Sequence, residues 1–164
     1  VQLAALLGSR VIAVDVEPDK IAAASEYGAD ETINALHENV VDRVKDLTGG
    51  TGADVVIEGV GGEAVPKVLA DCFKFLKLGG RLVVMGYAYD KHLTVDTADL
   101  IYGQWNVLGT RASNLQDVVE TVRLVESGLL KPVVSQKFSL FDANNALNML
   151  EKSPPLGRIV LVSP

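Results

Sequence analysis

Asp15 stands at the carboxyl end of the apolar run RVIAV, just before a turn into a helix that opens at Pro18. In sheets that bind dinucleotides, a carboxylate at that place accepts hydrogen bonds from the adenosine ribose hydroxyls, and its charge repels the extra phosphate of NADP. A site built on Asp15 would therefore favour NAD. The same position also suits a cap for the Pro18 helix or an Asx turn, and position alone leaves the two readings level. Lys20, five residues on, reaches the same ribose or is a solvated helix charge. Arg158 follows a glycine at the start of a strand-like run, where its guanidinium fork would suit a phosphate; a plain surface arginine is the favoured reading there.

A ribose-binding acid normally lies about 20 residues beyond a glycine fingerprint. Only 14 residues precede Asp15, and the opening VQLAALLG contains no GxGxxG, so the phosphate loop is expected upstream of Val1. The stretch from Gly59 to Ala64 fits GxGxxA after a strand, but the next strand ends in Gly86-Tyr87 and supplies no acid. Its favoured role is a turn that brings backbone close to a flat ligand. No catalytic set emerges: His37 and His92 lack the spacing to a second ligand that zinc needs, and Cys72 sits mid-helix in LADCFKFL as a core thiol. Ser113 and Ser135 have no nearby base, and Asp96 and Asp99 read as solvated faces.

Short β-branched runs alternate with longer helical stretches to position these residues. Strands are expected at Arg10 to Asp15, Glu31 to Asn34, Ala53 to Val60, Arg81 to Tyr87 and Trp105 to Thr110, and helices at Pro18 to Tyr27, Val40 to Leu47, Glu63 to Leu76 and Leu115 to Ser127. Pro18 suits a first turn, and Gly28, Gly49 and Gly79 suit left-handed positions beyond helix ends. The runs VIAV, DVVI and LVVM are continuously apolar, as in a parallel sheet covered on both faces. The pattern is a doubly wound α/β fold. After Lys131-Pro132 follow a strand-like VVSQKFSL, a helix from Asp142 to Lys152 with Asp142 as its cap, the breaker Pro154-Pro155 and a closing strand from Gly157 to Ser163.

The 164 residues suit one domain and a full hydrophobic core, with 48% hydrophobic and 22% charged residues. A net charge of −6 and the lack of a Lys/Arg cluster argue against a nucleic-acid partner. No apolar run is long enough for a membrane span, and one cysteine is compatible with a reducing, cytoplasmic setting. Because Val1 falls inside an apolar helical pattern with no capping residue ahead of it, the chain is expected to be cut from something longer.

Taken in order, GSRVIAVDVEPDKIAAASEYGADETIN, TGGTGADVVIEGVGG, LKLGGRLVVMGYA, WNVLGTRASN and PLGRIVLV resemble the nucleotide-binding half of the medium-chain dehydrogenase/reductase family, and within it the zinc-dependent alcohol dehydrogenases. The likeness covers essentially the whole chain. It implies a mostly parallel Rossmann-type sheet lacking its first strand and glycine loop. Residues 1–131 would be the truncated dinucleotide-binding domain, and 132–164 a helix and strand returning to an absent catalytic domain. It further implies that Asp15 and Lys20 bind the adenosine ribose and that Val60 and Gly61 line the adenine side. Met85, Gly86 and Tyr87 would face the nicotinamide, Leu108 its carboxamide, and Arg158 the pyrophosphate. Zinc would belong to the absent domain, the substrate would be a small alcohol or carbonyl compound, and WNVLGT would be a sheet edge able to pair two copies.

Two strands would then flank an open slot in the sheet. Each buried backbone group left unpaired there costs about 1–3 kcal/mol, so the slot should be filled by another fragment, another chain or a rearranged RIVLV strand. The isolated chain is expected to bind NAD poorly and to catalyse nothing. Competing readings are a zinc-free NADPH quinone or enoyl reductase, which Asp15 opposes by charge, a non-catalytic nucleotide-binding domain, and an S-adenosylmethionine methyltransferase, whose terminal hairpin has no counterpart here.

Overall fold

The computed structural model describes residues 1–152 and 155–163. In chain order the elements are α1 (Gln2–Leu6), β1 (Ile12–Asp15), α2 (Pro18–Glu26), β2 (Glu31–Asn34), α3 (Val40–Leu47), β3 (Ala53–Glu58), α4 (Val65–Phe75), β4 (Leu76–Val84), α5 (Thr97–Gly103), β5 (Asn106–Gly109), α6 (Leu115–Glu126), β6 (Val134–Ser139), α7 (Ala143–Lys152) and β7 (Arg158–Val162). Short 3-10 turns at Gly62–Ala64 and Leu140–Asp142 lead into α4 and α7. Among the described residues the strands form three sheets, ordered β1-β2, β3-β4-β5 and β6-β7. Pairing is parallel from β3 to β4, β4 to β5 and β6 to β7, as the continuously apolar runs require.

The chain divides into two compact units. One comprises Val1–Ala13, Glu17–Asp30 and Asn114–Pro164; the other comprises Val14–Val16 and Glu31–Ser113. In the first unit, the Gln2 side chain and the Lys131 main chain exchange two 2.9 Å hydrogen bonds that fasten the start of the chain to the segment after α6. In the second, Ile33 and Leu82 are fully enclosed, and Val44, Leu69, Cys72, Phe73 and Phe75 complete a core under the β3-β4-β5 sheet. The Phe73 ring packs 5.2 Å from that of Trp105, whose indole N–H donates to the Lys77 carbonyl.

Helix ends follow the chemistry expected of them at α2 and α3. Gly28 and Gly49 have φ of 98° and 60°. Each is followed by an amide that bonds back to the helix, Ala29 to Ala24 and Gly50 to Lys45, closing a Schellman motif. Gly79 departs from that pattern. It lies inside β4, where Ala53 pairs with Leu76 but Val55 already pairs with Arg81, so the extra residues bulge and Gly79 supplies their φ of 73°.

Other expectations are corrected as well. The helix at Asp142 is entered through Ser139, whose hydroxyl accepts from the Phe141 amide, while Asp142 lies in the 3-10 turn and accepts from Asn145. α5 was not foreseen; Asp96, read as a solvated charge, caps it by accepting from the Ala98 amide. The RIVLV segment pairs with β6 and so fills no slot beside β1 or β3. β3 is an edge strand with Val55 and Ile57 exposed, the latter at 61%, so the expected cover on both faces is absent there. Of the Pro154-Pro155 breaker, Pro154 lies outside the described residues.

Candidate functional site

The second unit gathers the carboxyl ends of three parallel strands on one edge. Glu58 pairs with Val84 and Val84 with Gly109, so β3, β4 and β5 finish level with one another. Val60 and Gly61 follow β3, Met85, Gly86 and Tyr87 follow β4, and Leu108 lies one residue before the end of β5. Six of the nine predicted cofactor residues are thus brought to one sheet edge. Met85, Tyr87 and Leu108 are exposed there, Tyr87 to 73%. Its ring meets that of Tyr89 edge-on at 5.9 Å.

Both strands stop earlier than their apolar runs suggest, and one residue explains both stops. The carboxylate of Glu58 accepts from the Val60 amide at 2.6 Å, bending the chain away two residues before the expected end of β3. The main-chain carbonyl of the same Glu58 accepts from the amides of both Met85, at 2.8 Å, and Gly86, at 3.1 Å, which ends the ladder of β4 at Val84. Gly86 then packs directly on Val60. A Cβ at Gly86 would overlap the Val60 carbonyl oxygen and lie 2.7 Å from its carbonyl carbon and 2.8 Å from its nitrogen. Only glycine lets the two exits approach this closely.

Asp15, in the same unit, ends β1 as expected. The N-cap position of α2 is held by Glu17, which makes no side-chain cap bond, while an Asp15 carboxylate oxygen accepts from the Val16 amide at 2.7 Å. Lys20, half-buried in the first turn of α2, and Arg158, exposed at the start of β7, belong to the first unit. A shallow groove bounded by Gln2, Tyr27 and Lys131 in that unit contains none of the predicted residues.

Glu58 is the one buried charged side chain among the described residues, 3% exposed, and its second carboxylate oxygen has no hydrogen-bond partner. Burial, together with the nearby carboxylates of Glu58 and Asp71, pushes the Cys72 thiol up to about 12. Cys72 is thus an inert core thiol. The ammonium groups of Lys67 and Lys74, each 2.7 Å from Asp71, hold its carboxyl below the usual range. Among the described residues, no group of three or more His, Cys, Asp or Glu could hold a metal ion.

The family model for zinc-binding dehydrogenases matches residues 1–127. The chain belongs to that family. It is 34% identical over 98% of its length to an NAD-dependent alcohol dehydrogenase of Sulfolobus acidocaldarius, and covers 45% of that protein. A quinone oxidoreductase-like protein 2 homolog of Nematostella vectensis is 30% identical over 98% of this chain and 46% of that relative. The crystal structure of the alcohol dehydrogenase of Aeropyrum pernix superposes with a TM-score of 0.86 at 30% identity, over 98% of this chain and 45% of that one. The chain thus spans about half the length of the relatives it matches.

With family membership the doubly wound, Rossmann-type reading of the sequence stands, built here from parallel sheets and intervening helices. The chain carries one site feature that motif reading passed over: the double grip of Glu58. The signal was present as a lone carboxylate closing an apolar strand before a glycine turn.

Proposed function

We infer that this chain is the cofactor-binding half of an NAD-dependent, alcohol dehydrogenase-like oxidoreductase, which moves hydride between a nicotinamide and a small alcohol or carbonyl carbon. The observation that carries it is the level edge of β3, β4 and β5, where backbone packs on backbone at Gly86 and exposed Met85, Tyr87 and Leu108 offer a flat face. NAD, when bound, supplies the hydride chemistry; the protein orients it. Val60 and Gly61 line the adenine side, Met85, Gly86 and Tyr87 present one wall to the nicotinamide, and the main chain at Leu108 meets its carboxamide. Asp15 accepts from the adenosine ribose. Lys20 and Arg158, each on its own, are assigned to ribose and pyrophosphate as cations. Any zinc is assigned to segments outside these residues, and residues 1–164 alone are not expected to oxidise alcohols.

The test is coenzyme choice in the intact protein. Replacing Asp15 by alanine removes hydrogen bonds to a charged acceptor, about 1.5–3 kcal/mol in all, so the dissociation constant for NAD should rise about tenfold or more. That for NADP should rise less or fall, because the repelling charge has gone. An unchanged NAD-to-NADP ratio refutes the assignment. The NADPH quinone reductase reading is kept alive by the quinone oxidoreductase-like relative, and it wins if the wild type already prefers NADP.

A further inference from the structure

We propose that Glu58 is a positioning residue that locks the two backbone exits lining the cofactor edge into one fixed arrangement. This rests on the cofactor-binding reading above, and deepens it. The carboxylate holds the exit of β3 through the Val60 amide at 2.6 Å, while the main-chain carbonyl of the same residue holds the exit of β4 through Met85 and Gly86. The two exits also touch, because Gly86 has no Cβ and seats against the Val60 backbone. A shift of Val60 is therefore transmitted to Gly86, and the two are themselves among the residues assigned to adenine and nicotinamide.

Burial explains why the grip is firm. Glu58 is 3% exposed, so water competes little for the Val60 amide, and the bond to a carboxylate is among the stronger kinds. The second carboxylate oxygen is enclosed without a partner, a cost that an apolar side chain would avoid and that makes no contribution to the core. A residue kept only for packing would not need it. The bond to Val60 does, because no aliphatic side chain supplies an acceptor there.

The experiment compares wild type, Glu58→Ala, Glu58→Gln and the core control Val44→Ala in the intact protein, with NADH titration by nicotinamide fluorescence and amide hydrogen exchange at Val60 and at Met85 and Gly86. Glutamine retains an acceptor oxygen for Val60 and should bind NADH within about threefold of wild type. Alanine should raise the NADH dissociation constant about tenfold or more and speed exchange at all three amides together, with kcat at saturating coenzyme falling much less. Val44→Ala, buried in the same unit, should lose thermal stability without weakening NADH binding. Should Glu58→Ala not fold, Glu58→Asp, one methylene shorter, is expected to give the same pattern. The proposal is overturned if only the Val60 amide responds, if glutamine fails to rescue, or if Val44→Ala weakens NADH as much. If wild type does not bind NADH, the cofactor reading falls while the exchange data still decide whether Glu58 couples the two exits.

Discussion

Adding a single methyl group at Gly86 offers a quantitative check on the geometry of the strand ends. The new Cβ would stand 2.7 Å from the Val60 carbonyl carbon and 2.8 Å from its nitrogen, against an ordinary carbon–carbon separation of about 3.5–4.0 Å. The exits of β3 and β4 must therefore part by about 0.8 Å or more, since every atom met is main chain and cannot rotate away. Overpacking of this kind costs about 1–3 kcal/mol. Parting the exits also stretches the Met85 and Gly86 bonds to the Glu58 carbonyl, each worth about 1 kcal/mol net. A loss of about 3 kcal/mol lowers the melting temperature of a domain this size by about 6–12 °C.

Displacement of that order at a cofactor wall should also weaken NADH about tenfold or more. Calorimetry on Gly86→Ala in the intact protein reads the first effect, and nicotinamide fluorescence the second. Gly59→Ala and Gly109→Ala serve as controls for stability, because a Cβ at either meets nothing within 4 Å. Both should stay within about 0.5 kcal/mol of wild type. A Gly86→Ala protein with wild-type melting and wild-type NADH affinity, or controls that melt as early as it does, would refute the reasoning.

Leu82→Ala empties a fully enclosed position and should cost about 2–5 kcal/mol in denaturant unfolding. The Cys72 thiol has its folded pKa raised from 9.0 to about 12, so its contribution to stability is complete below pH 9.0 and is lost as pH climbs toward 12. The stability difference between wild type and Cys72→Ala should accordingly shrink by about 1.4 kcal/mol per pH unit across that window, as chemical denaturation at stepped pH would read. Asp71 runs the other way: its folded pKa lies below 3.8, so its ion pairs contribute above that pH and fade as pH falls through the folded value. Asp71→Asn should lose about 0.5 kcal/mol at neutral pH, with the difference from wild type vanishing in acid.

Much of this protein was legible along the chain, because its signals are local. The apolar runs of β1, β3 and β4, the proline opening α2 and the glycines closing α2 and α3 depend on neighbours within a few residues; each gave its element, although β3 ends two residues and β4 three residues before the expected place and β4 begins at Leu76 rather than Arg81. The short helix α5 was missed because TADLIYG carries too few turns to show a 3.6-residue period, although Asp96 was waiting as its cap. Asp15 was found from its place at a strand end, but whether it capped α2 could only be decided by atoms, and Glu17 occupies that position.

The residue pattern by itself determined the order of the elements other than α5, the parallel α/β class and the candidates for a nucleotide edge, since these follow from hydrophobic period and from which residues tolerate a turn. Tertiary structure alone decided where the strands stop and what holds their ends level. A hydrogen bond from Val60 back to Glu58, and the seating of Gly86 on Val60, join residues whose contact depends on strand register. No spacing along the chain encodes such a contact until β3 and β4 lie side by side.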